Sequence, residues 1–265
     1  MLKQSPDIKD RRNFRNFLVK FYKQEDDLNS IRSQKIKTDI HRKALHLFPA
    51  GIIILLWIFA VNIWDGLWNA DNVWRITGEQ FGCFLILTAG YSGILIFGGL
   101  DYIRLSFIFE NHNLFHWIPD NVLDLLGKTM TREENFNYIE PLVLALSFTP
   151  IFIFPFGIFA AASLIATLGD GAASEFGLRF GRIHFPKSSE KTIVGYIAGF
   201  LASFGISFTF LCLFESSLKI FESIIISFSG ATTFFIIDVS NLKIDDNILN
   251  PIFSALIMGL LYYIL

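Results

Sequence analysis

The sequence predicts an all-α, polytopic integral membrane protein with about seven transmembrane helices and a cytoplasmic N-terminus. Of its 265 residues, 52% are hydrophobic and only 17% are charged, whereas soluble domains carry about 25% charged residues. The 30 phenylalanines lie in long uncharged runs, and about 20 such residues in a helix are enough to cross a bilayer. This composition excludes a soluble globular protein.

A polar arm precedes the apolar segments. We expect residues 1–40 to be a basic amphipathic arm, lying on an anionic membrane surface or on the protein's own cytoplasmic face. Residues 41–265 are expected to form the transmembrane catalytic domain. Its predicted segments cover about residues 44–64, 81–100, 140–154, 156–168, 193–214, 220–237 and 251–265. The fourth is rich in alanine and is expected to be an inner helix, and Pro251 is expected in the first turn of the last.

The basic residues orient these segments. Seven crossings place all but two of the 22 lysines and arginines, Arg75 and Lys219, on the side of the N-terminus. Cytoplasmic loops of membrane proteins carry an excess of lysine and arginine. We therefore expect the N-terminus in the cytoplasm, with the active site on the cytoplasmic face of a multi-pass protein.

The connection after the fourth segment is the main candidate site. Gly169 and Gly171 allow close backbone approach or positive φ angles. Asp170 lies where an apolar helix should end, and an acid at membrane depth is costly and often functional. Basic residues follow within about twenty positions. Glycine amides, an acid and cations together suit a phosphate and Mg²⁺, although a plain inter-helix loop with orienting charges has the same composition.

Further charged groups are predicted on the same face, where they would converge on one charged ligand. Each also has a simpler interpretation: orienting charges, an interfacial histidine, an i, i+3 surface pair, a solvated charge run, or a turn and N-cap. The groups are Arg42, Lys43 and His46; Asp101 and Arg104; Arg132, Glu133 and Glu134; Lys187 to Glu190; and Asp245, Asp246 and Asn247.

These motifs resemble, from about Arg42 to the C-terminus, the CTP-dependent lipid kinases: dolichol and polyprenol kinases, phytol kinase and the yeast-type diacylglycerol kinase. The chain is more distantly similar to the CDP-lipid-forming cytidylyltransferases. One difference from the kinase pattern is Lys191-Thr192 in place of Gly-Ser. The matching elements are Arg42-Lys43-x-x-His46, Asp101-x-x-Arg104, Gly169-Asp170-x-Ala172-Ala173 with Gly177 and Phe180-Gly181, Lys187-Ser188-Ser189-Glu190, and Asp246-Asn247 before Pro251.

The resemblance implies transfer of the γ-phosphate of CTP to the hydroxyl of a membrane lipid alcohol. In this interpretation Asp170 and Asp246 hold Mg²⁺, with Asn247 assisting. The phosphates contact the glycine amides of Gly169 and Gly171 and four cations: Arg42, Lys43, Arg104 and Lys187. The alcohol proton passes to His46, Asp101 or Glu190, which the sequence does not rank.

Two other functions stay open at this point. A cytidylyltransferase would make a CDP-lipid from CTP and a phospholipid acid. A non-enzymatic transporter or scaffold would show broken helices or inverted repeats in the transport case. The expected partners are the bilayer, a membrane lipid alcohol and CTP, with no nucleic acid.

Overall fold

Helices dominate the computed structural model, which describes residues 47–110, 112, 114, 118–119, 121–122, 139–186, 191–240, 242 and 244–265. We number the seven principal helices in chain order. They are α1 (Leu47–Asp65), α2 (Gly78–Glu110), α3 (Glu140–Ile151), α4 (Phe156–Phe180), α5 (Ile193–Phe214), α6 (Ile220–Ser240) and α7 (Asp246–Ile264). A short helix, Asp71–Trp74, lies between α1 and α2.

The prediction of an all-α polytopic membrane protein is confirmed. Six of these helices are long and apolar enough to cross a membrane. The remaining one, α3, coincides with the third predicted segment but has only 12 residues, or about 18 Å at 1.5 Å per residue. The predicted N-terminal arm, residues 1–40, lies outside the described residues, as does most of the connection between α2 and α3.

The structure corrects the prediction for residues 169–170, because the fourth segment does not end there. Helix α4 is α-helical over Phe156–Leu164, π-helical over Ile165–Gly169, and α-helical again over Asp170–Phe180. The predicted Gly-rich loop around Asp170 is therefore helix. The connection to α5 begins only after Phe180, because packing against neighbouring helices outweighs the cost of about 1 kcal/mol that a glycine adds inside a helix.

The last helix also begins earlier than predicted. Asp245 is the N-cap of α7, and its Oδ1 accepts a hydrogen bond of 2.9 Å from the backbone N–H of Asn247. Pro251 consequently lies inside α7 rather than in its first turn. Capping by an acid explains the earlier start, since it satisfies an N–H that the helix leaves free.

The described residues form two compact units. Residues 93–142 belong to the small unit, and residues 47–92 with 143–265 belong to the large unit. In the large unit the first half of α4 is the innermost element, since all nine residues of Phe156–Leu164 are buried. The predicted inner position of the alanine-rich segment is therefore confirmed. Helices α5 and α7 pack against α4, and α6 packs against both α5 and α7.

Glu215 connects α5 to α4 and α7 by hydrogen bonds at one end of the large unit. It follows α5, and its Oε1 accepts a 2.8 Å hydrogen bond from the N–H of Gly157 at the start of α4. Its Oε2 accepts a 3.2 Å hydrogen bond from the hydroxyl of Tyr262 in α7. Burial raises the pKa of Glu215, and these two hydrogen bonds oppose that rise. A carboxylate at a helix N-terminus also interacts favourably with the helix dipole.

Candidate functional site

A lysine joins two aspartates at the opposite ends of these helices. The Nζ atom of Lys191 lies 2.6 Å from Oδ1 of Asp238 and 2.7 Å from Oδ2 of Asp246. Asp170 and Asp246 are close enough to Asp238 for their charges to act on it. We call these four residues the acid–lysine cluster. It assembles where α5 begins, α6 ends and α7 begins, beside the second half of α4.

The backbone around Lys191 is fixed on both sides. The carbonyl of Lys191 accepts a 3.1 Å hydrogen bond from the N–H of Phe185, and Ile193 donates a 3.0 Å hydrogen bond to the carbonyl of Ile183. Thr192 is the N-cap of α5, since its hydroxyl accepts a hydrogen bond from Gly195. The chain on both sides of Lys191 is therefore held against its neighbours, which determines where the lysine side chain begins.

Asp238 is the buried member of the cluster. Its side chain is only 4% exposed, compared with 29% for Asp246 and 31% for Lys191. It lies in the last turn of α6, where the helix dipole disfavours an acid. Lys191 compensates for this position, since its ammonium pairs with the carboxylate and also donates to the backbone carbonyl of Asp238 at 3.4 Å.

Lys191 stays positively charged at neutral pH. Burial on its own would lower the pKa of Lys191, but the charges and hydrogen bonds of Asp238 and Asp246 outweigh that effect and raise the pKa well above its usual range. A lysine held in this state is a fixed cation and a poor proton acceptor. The cluster thus holds three acids and one lysine, and two of the acids contact the ammonium.

A π-helical turn directly precedes Asp170. Residues Ile165–Gly169 form this turn, and π turns insert one extra residue into a helix, frequently at functional sites. Within this buried turn, the hydroxyl of Thr167 donates a 3.1 Å hydrogen bond to the carbonyl of Ser163 in the preceding turn. The extra residue rotates Asp170 relative to the buried first half of α4.

The glycines of the predicted phosphate loop pack helices together. All of them have negative φ angles, and Gly169 and Gly171 lie within continuous helix, where amides point along the helix axis to the preceding turn. A Cβ placed on Gly169 would lie 2.6 Å from the hydroxyl oxygen of Ser203 in α5. The amides of Gly169 and Gly171 are therefore not arranged as a phosphate-binding loop, in contrast to the prediction.

The same close packing continues along α4 and α5. A Cβ on Gly195 would lie 2.7 Å from the carbonyl oxygen of Ala173 and 3.4 Å from Cα of Gly177, and a Cβ on Gly199 would lie 2.9 Å from Cβ of Ala173. Small residues four apart on both helices allow their backbones to approach closely. Gly171 is different, because a Cβ there would have nothing within 4 Å.

Asp101 and Arg104 form a buried pair in the small unit. They are 1% and 8% exposed, so they are not the surface pair that their spacing also allowed. Arg104 Nη2 lies 2.8 Å from Oδ1 of Asp101, and Oδ2 of Asp101 accepts a 2.7 Å hydrogen bond from the N–H of Ile139, directly before α3. Both carboxylate oxygens thus have partners within this unit, and Asp101 fixes the start of α3.

Several predicted site residues lie outside the described part of the chain: Arg42, Lys43, His46, Lys187 and Glu190. Of the others, the structure brings Asp170 and Asp246 into one cluster. The backbone N–H of Asn247 donates a hydrogen bond to Oδ1 of Asp245 at the start of α7.

Sequence reasoning missed Asp238, and it treated Lys191 as one of the basic residues suited to an anionic group and as a departure from the family pattern. The available signal for Asp238 was its position, an acid at the end of an apolar run of more than fifteen residues, which carries the same expectation of function as Asp170. For Lys191 the sequence carried no comparable signal, because its two partners lie 47 and 55 positions later.

The donor set of the cluster suits a hard divalent cation. Among the described residues no group of three or more His, Cys, Asp or Glu side chains is arranged as a complete metal site. Mg²⁺, however, is usually held by one or two carboxylates together with water and substrate phosphates. Asp170 and Asp246 supply two carboxylates to the cluster, and this type of ligand fits such an ion.

Comparisons with protein-family models, with curated proteins and with solved structures found no match for this chain.

Proposed function

We propose that this chain is a CTP-dependent kinase that phosphorylates the hydroxyl of a membrane lipid alcohol, most specifically of the dolichol or polyprenol type. The observation that carries the proposal is the acid–lysine cluster. It gathers three acids and a fixed cation at one end of a bundle of membrane helices. The choice of CTP and of a lipid alcohol rests on the resemblance of the sequence motifs to the lipid kinases.

Phosphoryl transfer suits such a cluster because it needs positioning and charge compensation more than covalent help. The alcohol oxygen forms a bond to the γ-phosphorus, the bond from that phosphorus to the bridging oxygen breaks, and CDP leaves. The alcohol proton passes to a base, for which His46 and Glu190 are the candidates, since Asp101 is buried and its carboxylate already has partners in the small unit. Asp170 and Asp246 would hold Mg²⁺, which when bound neutralises phosphate charge and orients the transferred group.

Lys191 and Asp238 act as positioning residues in this proposal. Lys191 holds the carboxylate of Asp246 at 2.7 Å, while Asp238 fixes Lys191 from the buried side. The basic residues Arg42, Lys43 and Lys187 are proposed to compensate phosphate charge, whereas Arg104 pairs with Asp101 in the small unit. The excess of basic residues on the N-terminal side supports a cytoplasmic location for the cluster, where CTP is present.

The test uses the full chain reconstituted in vesicles with dolichol and CTP labelled at either the α- or the γ-phosphorus. Label passing from the γ position to the lipid alcohol supports the kinase. Label passing from the α position, with phosphatidate as acceptor, would instead identify a cytidylyltransferase, and transfer from neither position would overturn both activities.

The matched variants compare acids inside and outside the cluster. Asp170→Ala is expected to reduce turnover by at least about a hundredfold while the protein still folds, because it removes a proposed Mg²⁺ ligand. Asp71→Ala, in the short exposed helix after α1, should leave turnover unchanged. Near-normal turnover in Asp170→Ala would refute the role given to the cluster.

A further inference from the structure

Buried serines in the membrane helices of this protein usually bond within their own helix. The hydroxyls of Ser147, Ser163, Ser207 and Ser227 each donate to the carbonyl four residues earlier, at 2.6–2.8 Å. This bond is the ordinary way for a helical serine to satisfy its hydroxyl in an apolar environment. A buried serine hydroxyl without this bond is therefore unusual and needs an explanation.

In the large unit, three buried side-chain polar atoms have no hydrogen-bond partner among the described residues. They are Oγ of Ser203 in α5 and Oδ1 of Asn250 and Oγ of Ser254 in α7, and their residues are 0%, 1% and 0% exposed. A buried polar group without a partner costs about 1–3 kcal/mol. In native proteins such groups usually bind a water molecule or a ligand.

Contacts of α6 with α5 and α7 place these atoms at similar depths, below the acid–lysine cluster. Asp246, Asn250, Ser254 and Met258 follow one another at four-residue spacing along a ridge of α7. Lys191 joins the top of this ridge to Asp238 of α6, and further down Met258 contacts Gly230 of α6. Asn250 and Ser254 therefore lie between these two contacts, at the level of the residues of α6 between 230 and 238.

Ser203 reaches the same level from α5. Phe234 lies in that stretch of α6, and its ring packs on Gly199 of α5. A Cβ placed on Gly199 would lie 2.7 Å from Cε1 of Phe234. The ring is also near Gly169, beside which the hydroxyl of Ser203 lies. Helix α7 packs against the π-helical turn that ends at Gly169. Asn250 and Ser254 are neighbours one turn apart on α7, and Ser203 lies on the α5 side of the π-helical turn that both helices contact. We call these three residues the polar layer; its α7 members lie about one to two helical turns inside the bundle from Asp246.

The chemistry of the polar layer selects its ligand. The amide oxygen of Asn250 only accepts hydrogen bonds, whereas the serine hydroxyls also donate. A metal ion would satisfy the oxygen lone pairs but would leave the hydroxyl hydrogens without an acceptor. A hydroxyl group both donates and accepts, and so complements the layer. Water and an alcohol share this chemistry.

We propose that Ser203, Asn250 and Ser254 bind the hydroxyl end of a membrane alcohol. This inference deepens the proposed kinase function and rests on it for the identity of the alcohol. The layer lies on the membrane-interior side of the acid–lysine cluster, from which the hydroxyl of a lipid would reach a phosphate bound at the cluster.

Pro251 provides a means of access to this buried layer. Proline has no N–H, so the carbonyl of Asn247, four residues earlier, lacks its usual helical partner. The first turn of α7, from Asp246 to Asn250, is therefore less firmly tied to the rest of the helix than an unbroken helix would be. Asn250 directly precedes the proline and so lies at the end of this turn.

The test measures binding without CTP, so that it does not depend on turnover. The full chain in detergent is titrated with tritium-labelled geranylgeraniol and with its methyl ether, which keeps the oxygen but cannot donate a hydrogen bond. The wild-type protein should bind the alcohol about tenfold more tightly than the ether, the effect of roughly one hydrogen bond to a buried acceptor.

The variants separate the polar layer from buried polar residues in general. Asn250→Leu should bind alcohol and ether within about twofold of each other, because it removes the acceptor. Ser254→Ala, a smaller change, should reduce the preference about threefold. Ser227→Ala is the matched control, since Ser227 is equally buried but bonds to the carbonyl of Ser223, and it should keep the full preference.

Two outcomes would overturn the inference. If the wild-type protein binds the alcohol and the ether equally, any hydroxyl in the layer belongs to water rather than to a lipid. If correctly folded Asn250→Leu and Ser254→Ala both keep the tenfold preference, the layer does not bind the alcohol. Loss of phosphate transfer with the preference intact would refute only the proposed kinase function, and transfer without any preference would refute only this inference.

Discussion

Replacing Lys191 by methionine tests how much the acid–lysine cluster contributes to stability. The substitution keeps a long unbranched side chain but removes the ammonium, which lies 2.6 Å from Asp238 and 2.7 Å from Asp246. Asp238 is 4% exposed, so its carboxylate would be left buried without a counter-charge.

The expected loss follows from the burial of the two partners. Removing one partner of a buried ion pair costs about 3–5 kcal/mol, whereas an exposed pair contributes about 0–1 kcal/mol. Because Lys191 itself is about one-third exposed, we assign to its pair with Asp238 the lower end of the first range, about 3 kcal/mol. To its pair with Asp246 we assign less than about 1 kcal/mol. Lys191→Met should therefore lower the free energy of unfolding by about 3 kcal/mol.

The assay is equilibrium unfolding of the detergent-solubilised protein, followed at two pH values. In the wild-type protein the raised pKa of Lys191 means that its stabilisation is complete below lysine's ordinary pKa and is lost only as the pH rises through the folded-state pKa. The contribution of Lys191 is therefore constant between about pH 6 and 9. In Lys191→Met, acidification should recover stability, because protonation removes the uncompensated charge of Asp238.

Two further variants decide whether this reasoning is right. Lys191→Met combined with Asp238→Asn should be more stable than Lys191→Met alone, since no buried charge remains. Lys219→Met is the control, because Lys219 pairs with Glu222 while 84% exposed. Equal stability of Lys191→Met and Lys219→Met, or a further loss of stability on adding Asp238→Asn, would contradict the stabilising role of Lys191.

Three other predictions concern single residues. Gly171→Ala should raise the free energy of unfolding by about 0.5–1 kcal/mol and leave activity unchanged, because a Cβ there meets no atom within 4 Å and alanine favours helix; a large loss of activity would restore the phosphate-loop interpretation. Gly199→Ala should lower the same quantity by about 1–3 kcal/mol, because its Cβ would lie 2.7 Å from Phe234, and unchanged stability would contradict the close packing of α5. Because burial raises the pKa of Glu215, the folded state binds this proton more tightly, so wild-type stability should rise as the pH falls through that pKa towards about 4. Glu215→Gln should remove this part of the pH dependence, and identical pH profiles would show that Glu215 is not buried as a carboxyl group.

Most of the fold follows from local sequence properties. An uninterrupted apolar run must form a helix in a bilayer, because every backbone polar group has to be bonded within the segment. The long spans and the inner position of the alanine-rich helix could therefore be predicted. Two helix boundaries could not be predicted. The helix continues through Asp170 because packing against neighbouring helices outweighs the intrinsic preference of a single residue. The last helix begins before Pro251 because Asp245 caps it.

Part of the candidate site could likewise be predicted from the sequence, and part depends on the tertiary structure. The sequence by itself determined that acids such as Asp170 and Asp246 lie at the ends of apolar segments, because charge and hydropathy are properties of each residue. Only the tertiary structure decided that Lys191 pairs with residues 47 and 55 positions later, and that Gly169 contacts Ser203 rather than a phosphate. These contacts depend on how helices pack and in which register, and no single segment carries that information.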